Sequence, residues 1–177
     1  SYRHPAKFQL TAALNPCKCG YYPDRKKCTC SQGQIKNYLG RISKPLLDRI
    51  DIFTETIILK YGEISNSDKG ENSYDVRKRI EKVHHIQKER YKNDGILFNS
   101  ELSAGMIKRY CVMDNEAKEY LENIFENMEF SARAYHKVLK TARTIADMDE
   151  SGEIKRKHIS EAVCYRTADK KYWGVTM

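Results

Sequence analysis

Read as a succession of apolar and polar positions, the chain falls into two unlike parts. In the first, the apolar runs are short: FQLTAAL over residues 8–14, closed by Asn15-Pro16, and DIFTETIIL over residues 51–59, rich in β-branched side chains. Both predict strands. Between them, residues 31–38 predict a helix with Ser31 as its N-cap, followed by a loop around Ser43, Lys44 and Pro45. Residues 62–72 read as a polar linker.

Beyond the linker the apolar positions recur at helical spacing. A long amphipathic helix, capped by Ser73, places Val76, Ile80, Val83 and Gln87 on one side and reaches Tyr91. A shorter helix is predicted over residues 101–111, and another, capped by Asp114, carries Ala117, Leu121, Ile124, Phe125 and Met128. Ser131 caps the most apolar helix, with Tyr135, Val138, Leu139, Ala142, Ile145 and Ala146, ending near residues 149–152. A last helix over residues 156–165 turns Ile159, Ala162 and Val163 inward. The set forms a small bundle whose apolar stripes are core first and function second. The tail with Tyr172 and Trp173 carries no usable pattern.

Charge sharpens the division. Of a net +8, residues 1–60 hold +7, from 11 Lys and Arg against 4 acids. A basic segment beside a nearly neutral one points to phosphate, as nucleotide or nucleic acid, with solvated lysines as the plainer account. No apolar run approaches the roughly 20 residues of a membrane helix, and no secretory leader pattern is present. This leads us to expect a cytoplasmic protein without a membrane partner. The chain starts at Ser1 within a strand-like pattern, so it reads as part of a longer protein.

Four of the six cysteines fall together as Cys17-Lys18-Cys19 and Cys28-Thr29-Cys30. Side chains at i and i+2 of an extended segment point to one side, so two such pairs close a loop around one tetrahedral ion. Gly20, Tyr21, Tyr22, Pro23 and Asp24 supply the turn. Four thiolates favour structural Zn²⁺, less often an iron–sulfur cluster, and Lys18, Arg25, Lys26 and Lys27 would offset part of the site's negative charge. Four protein ligands leave no open position for catalysis by the metal.

Four stretches carry a family resemblance. FQLTAALNPCKCGYY with Cys28-Thr29-Cys30, then YLGRISKPLLDRID over residues 38–51, resemble the second half of the ATPase core of the Mg-chelatase-like AAA+ family, in its ComM/YifB branch. SARAYHKVLKTARTIAD over residues 131–147 and KHISEAVCYR over residues 157–166 resemble that family's C-terminal helical lid. The resemblance implies an α/β plus α fold: the C-terminal part of a P-loop α/β core with a four-cysteine zinc loop (1–61), a linker (62–72) and a helical lid bundle (73–177).

It also implies roles. Asn15 takes the sensor-1 place, where an amide donates to the γ-phosphate and accepts from the attacking water. Arg49 takes the place of the arginine finger that reaches a neighbour's ATP, with Arg41 as the fallback and an ion pair to Asp48 as the plainer account. Arg133, in the first turn of the Ser131 helix, fits the lid arginine called sensor 2. Arg143 reads as a solvated charge. His84, His85, His136 and His158 show no convincing partner in the sequence and receive no catalytic role.

No glycine is followed by lysine, so the chain has no phosphate-cradling P-loop, and Asp149-Glu150 imitates a Walker-B pair on a helical pattern. The implied parent is a ring-forming ATPase, a hexamer of identical subunits using ATP and Mg²⁺ and acting on DNA. This chain alone would be inactive. Two alternatives compete: an ATPase subunit serving metal insertion into a tetrapyrrole, and a non-catalytic zinc-containing module that binds nucleic acid.

Overall fold

The computed structural model describes residues 8–56, 70–128 and 130–173. The described residues are mostly helical and contain no strand. Seven α-helices are described: α1 (Gln32–Leu39), α2 (Lys44–Leu47), α3 (Ser73–Tyr91), α4 (Ala104–Tyr110), α5 (Asn115–Asn127), α6 (Ala132–Met148) and α7 (Arg156–Trp173). A single 3₁₀ turn, Asn99–Glu101, precedes α4.

Neither predicted strand forms over its described part. Residues 8–14 and 51–56 have no β-ladder, and Phe8, Leu10, Leu14 and Ile52 are exposed. A strand exists only by pairing, and no described segment offers these residues a β-ladder. Residues 57–59 of the second predicted strand, most of the linker, and the strand-like start before residue 8 lie outside the described residues.

Local chemistry accounts for most helix starts. Ser31 closes a capping box on α1: its hydroxyl accepts from Gln34 N at 3.2 Å, and the Gln34 side chain accepts from Ser31 N at 2.9 Å. Asp114 accepts from Ala117 N at 2.8 Å to cap α5, and Ser131 from Ala134 N at 3.1 Å to cap α6. At α3 the cap is Asn72 rather than Ser73; its side-chain oxygen accepts from both Tyr74 N and Asp75 N at 3.0 Å. Pro45 starts α2, a single turn where a loop is expected, because its fixed φ suits a first helical turn.

The core gathers on α6. Val138, Leu139, Ala142 and Ala146 are buried against Ile159, Ala162 and Val163 of α7, with Leu121 of α5, Tyr91 of α3 and Ile107 of α4 in the same cluster. Alanines at 142, 146, 162 and 117 let helices approach closely. Of α3 only Tyr91 belongs to this cluster; Val83 and Gln87 are buried as well, while Ile80 stays 40% exposed. An isolated parallel bridge between Met113 and Ile154 fastens the entries of α5 and α7 side by side.

A buried carboxylate organises the polar part. Asp147, 1% exposed, pairs with Arg90 of α3 and accepts from Arg143 Nε at 3.1 Å and from Asn99 Nδ2 at 2.9 Å. Arg143 also donates to the carbonyls of Gly152 at 2.9 Å and Ser151 at 2.5 Å. It is a buried brace across the α6–α7 turn, not the solvated charge expected from its position. His158 has a partner as well: its Nδ1 accepts from Lys155 N at 2.9 Å and its Nε2 donates to Asp149 at 3.1 Å, so it caps α7.

Replacing Asp147 by Ala leaves two guanidinium groups and an amide without their acceptor. The expected loss is about 3–5 kcal/mol in urea unfolding followed by far-UV circular dichroism.

Candidate metal centre

The loop from Cys17 to Cys30 folds as a succession of tight turns. Gly20, at φ +83°, donates its amide to Cys17 O at 3.1 Å, a left-handed position that favours glycine. The amides of Asp24 and Cys28 then bond to Tyr21 O and Asp24 O, both at 2.8 Å, and the Asp24 side chain accepts from Lys26 N at 3.0 Å. The peptide before Pro23 is cis.

These turns bring the four predicted ligands together. All four Sγ atoms lie within 4.8 Å of one another. The Cys17–Cys19, Cys19–Cys28 and Cys17–Cys28 separations are 3.3, 3.5 and 3.8 Å. Four sulfurs at about 2.3 Å from one zinc would stand about 3.8 Å apart in a tetrahedron, so the donor set fits a tetrathiolate ion closely. All six cysteines are free thiols.

The surroundings favour thiolate at two sulfurs and oppose it at two. The Tyr21 backbone amide, above all, brings the Cys19 thiol down to about 6. At Cys17 desolvation opposes ionisation, but the Tyr22 and Gly20 amides and the Cys28 thiol outweigh it. Desolvation pushes Cys28 up to about 11. At Cys30 the Cys19 amide favours the thiolate, yet desolvation and the neighbouring sulfurs carry the group upward. Amides aimed at sulfur form the outer shell that fixes a ligand's orientation.

A small core backs the site. Cys17, Ile35 and Leu39 are buried together, with Tyr22, Tyr38, Tyr172 and Trp173 packed around them. The last two come from the far end of α7, where the sequence shows no usable pattern. Trp173 Nε1 donates to Leu39 O at 3.0 Å, and the Tyr172 ring meets Tyr22 edge-on at 6.0 Å. The chain's only tryptophan beside a tyrosine, at a helical register continuing from Ile159 and Val163, is the signal that could have found this arm.

The predicted phosphate-sensing residues stand apart from the sulfurs. Asn15 is exposed, its side chain near Gly20. Arg49 is exposed at the end of α2, and its guanidinium donates to Pro45 O at 2.9 Å rather than pairing with Asp48. Arg133 is exposed in the first turn of α6 and makes no hydrogen bond or ion pair with a described residue. Arg41 is also exposed.

One turn along α6 from Arg133, Lys137 donates to Arg49 O at 2.6 Å and to Asp51 at 2.5 Å. The chain after α2 is held further by α7: Arg166 donates to Ile50 O at 2.5 Å, Phe53 N to Tyr165 O at 2.9 Å, and Lys171 to Glu55 at 2.7 Å. Arg49 and Arg133 are thus carried on one frame, while no described contact joins Asn15 to either. Asp149 and Glu150 face Lys157 and Lys82 in ion pairs.

The model of magnesium chelatase, subunit ChlI C-terminal, matches residues 70–166, and that of magnesium chelatase, subunit ChlI, matches residues 1–64. The chain belongs to the magnesium-chelatase ChlI family. Its relatives include protein YifB of Salmonella typhimurium, 38% identical over 94% of the chain and 32% of that protein. Competence protein ComM of Haemophilus influenzae is 40% identical over 92% of the chain and 31% of that protein. YifB of Escherichia coli is 36% identical over 94% and 32%. The chain therefore spans about a third of the length of these relatives. In this ChlI-family chain the cysteine loop, Asn15 and Arg49 fall in the first match, and Arg133 in the second. Tyr172 and Trp173 lie beyond both. No described helix is long and apolar enough to cross a membrane.

At pH 7 both Cys28 and Cys30 keep their protons in the metal-free loop, so zinc uptake is expected to release at least two protons per chain, read by a pH indicator in weak buffer. Elemental analysis is expected to find about one zinc per chain, lost in Cys28→Ser and released as pH falls, because protons compete for the thiolates.

Proposed function

We propose that this chain works as part of a longer, ring-forming ATPase that couples ATP hydrolysis to movement on DNA, in the manner of a competence protein. Residues 1–61 would be the end of the nucleotide-binding core with its structural zinc loop, residues 62–72 the linker and residues 73–177 the lid. Walker motifs would come from the remainder of a polypeptide of the relatives' length, and identical subunits, six in a ring, would complete each other's sites in the cytoplasm.

The observation that carries the reading is the pairing of Arg49 with α6. The exposed Arg49 guanidinium leaves a backbone gripped by Lys137, one turn from the exposed Arg133. Two guanidinium groups on one braced frame suit a lid that closes on the phosphates of its own subunit while presenting a finger to the next. Arg133 stands at a helix N-terminus, where backbone amides add to the attraction for phosphate. Asn15 would hold the γ-phosphate and the attacking water, with Mg²⁺ and ATP bound by the upstream loops. The zinc site contributes shape, not chemistry, because four sulfurs fill its coordination.

The relative named as a competence protein, 40% identical over 92% of the chain, favours DNA over a tetrapyrrole as the object of the motor. DNA-stimulated ATP hydrolysis by the full-length protein is the test. Arg49→Ala is expected to lower kcat by about 10³-fold or more, with Arg49→Lys failing to restore it. Rings mixed from Arg49→Ala subunits and subunits lacking a P-loop are expected to recover part of the rate, since the finger acts on a neighbour. Hydrolysis indifferent to DNA would favour the chelatase reading, and no hydrolysis at all would favour the non-catalytic module.

A further inference from the structure

The cysteine loop carries two consecutive tyrosines with different surroundings. Tyr22 is half-buried: its ring packs against Tyr172, and the Arg25 guanidinium lies 4.9 Å above it. Tyr21 is 50% exposed and has no ring contact with a described residue. Its backbone serves the loop, through the carbonyl that accepts from Asp24 N and the amide beside Cys19, but its ring stands outside the cluster that backs the sulfurs. Four exposed cations surround it in sequence, Lys18, Arg25, Lys26 and Lys27, and none forms an ion pair with a described residue. The one acid among them, Asp24, uses its side chain to hold the turn at Lys26 N.

A loop that only fills space has no use for a solvated aromatic ring beside unpaired cations. The combination matches the requirements of a strand with unpaired bases: a flat apolar face for stacking and positive charges for the backbone. A duplex hides its base faces, so an exposed ring at a loop tip would have nothing to stack on there. The tightly turned backbone holds the ring in place before binding, which lowers the ordering cost.

The geometry points to the tip of the cysteine loop as a contact surface for single-stranded DNA, with Tyr21 stacking on a base and Lys18, Arg25, Lys26 and Lys27 meeting phosphates. This rests on the reading of DNA as the motor's track, and adds where the strand touches and in what form.

The test is fluorescence anisotropy of a labelled oligothymidine with the zinc-loaded chain, each variant first shown by elemental analysis to retain its metal. Tyr21→Ala is expected to weaken binding roughly 5- to 150-fold, the worth of one stacked base, and Tyr21→Phe to restore it. The double variant Lys26→Ala, Lys27→Ala is expected to reduce the slope of log K against log salt by about 1.4, two phosphate contacts on a single strand. Metal-loaded variants that all bind like the parent chain would overturn the inference, as would an RNA strand or heparin competing as well as DNA. The reading of DNA as the track is judged separately, by DNA stimulation of ATP hydrolysis in the full-length protein, so either idea fails without the other.

Discussion

The carboxylate of Asp147 sets the constraint on which the helical part depends. It sits with no solvent-exposed side-chain surface between Arg90 and Arg143. A charge so placed is tolerable only when its oxygens are all engaged, and here Arg90, Arg143 and Asn99 engage them. Each partner brings its own element. Arg90 ties in α3, Asn99 the 3₁₀ turn, and Arg143 reaches onward to the carbonyls of Ser151 and Gly152 ahead of α7. Gln87 and Tyr91 complete the arrangement by bonding Asn99 from the same face of α3. Apolar packing alone would let the amphipathic helices slide past one another. The network selects one register, because any other leaves a buried charge unpaired.

From that fixed frame the first part of the chain takes its position. Its own buried apolar set is small, Cys17, Ile35 and Leu39, with Leu47 beyond it. Such a cluster is too little to hold a fold without further ties. The bundle supplies them from α6 and α7: Lys137 at Arg49 and Asp51, Arg166 at Ile50, Lys171 at Glu55, and Trp173 at Leu39. Most of these bonds go to backbone carbonyls, so they fix the path of the chain while leaving side chains such as that of Arg49 facing outward.

What the sequence disclosed follows from how local each feature is. Caps at Ser31, Asp114 and Ser131 were legible because a cap is decided within four residues. The cysteine cluster was legible because two Cys-x-Cys pairs have few other uses in one loop. The strands do not form over their described residues, 8–14 and 51–56, because β-structure depends on partners elsewhere. Arg143 was misjudged in the opposite sense, as a solvated charge, and His158 showed no partner in the sequence: only the turn that follows α6 reveals the groups they bond. The Arg143–Asp147 pair at i,i+4 was the one clue available. The arm of Tyr172 and Trp173 escaped because its partners Tyr22 and Leu39 lie more than 130 residues away.

That arm changes what the metal loop means for the molecule. Were the loop an isolated knuckle, its order would matter only to its own surface. Instead, Tyr22 lies between the ligand pairs Cys17/Cys19 and Cys28/Cys30 and against Tyr172, while Trp173 is bonded to the helix that backs the site. The same α7 carries Arg166 and Tyr165, which hold the chain just after Arg49. Order at the sulfurs and the placement of Arg49 therefore draw on one helix. A tetrathiolate ion at one end and a buried carboxylate at the other would bracket that helix, fixing the only described stretch that touches metal loop, arginine segment and bundle together.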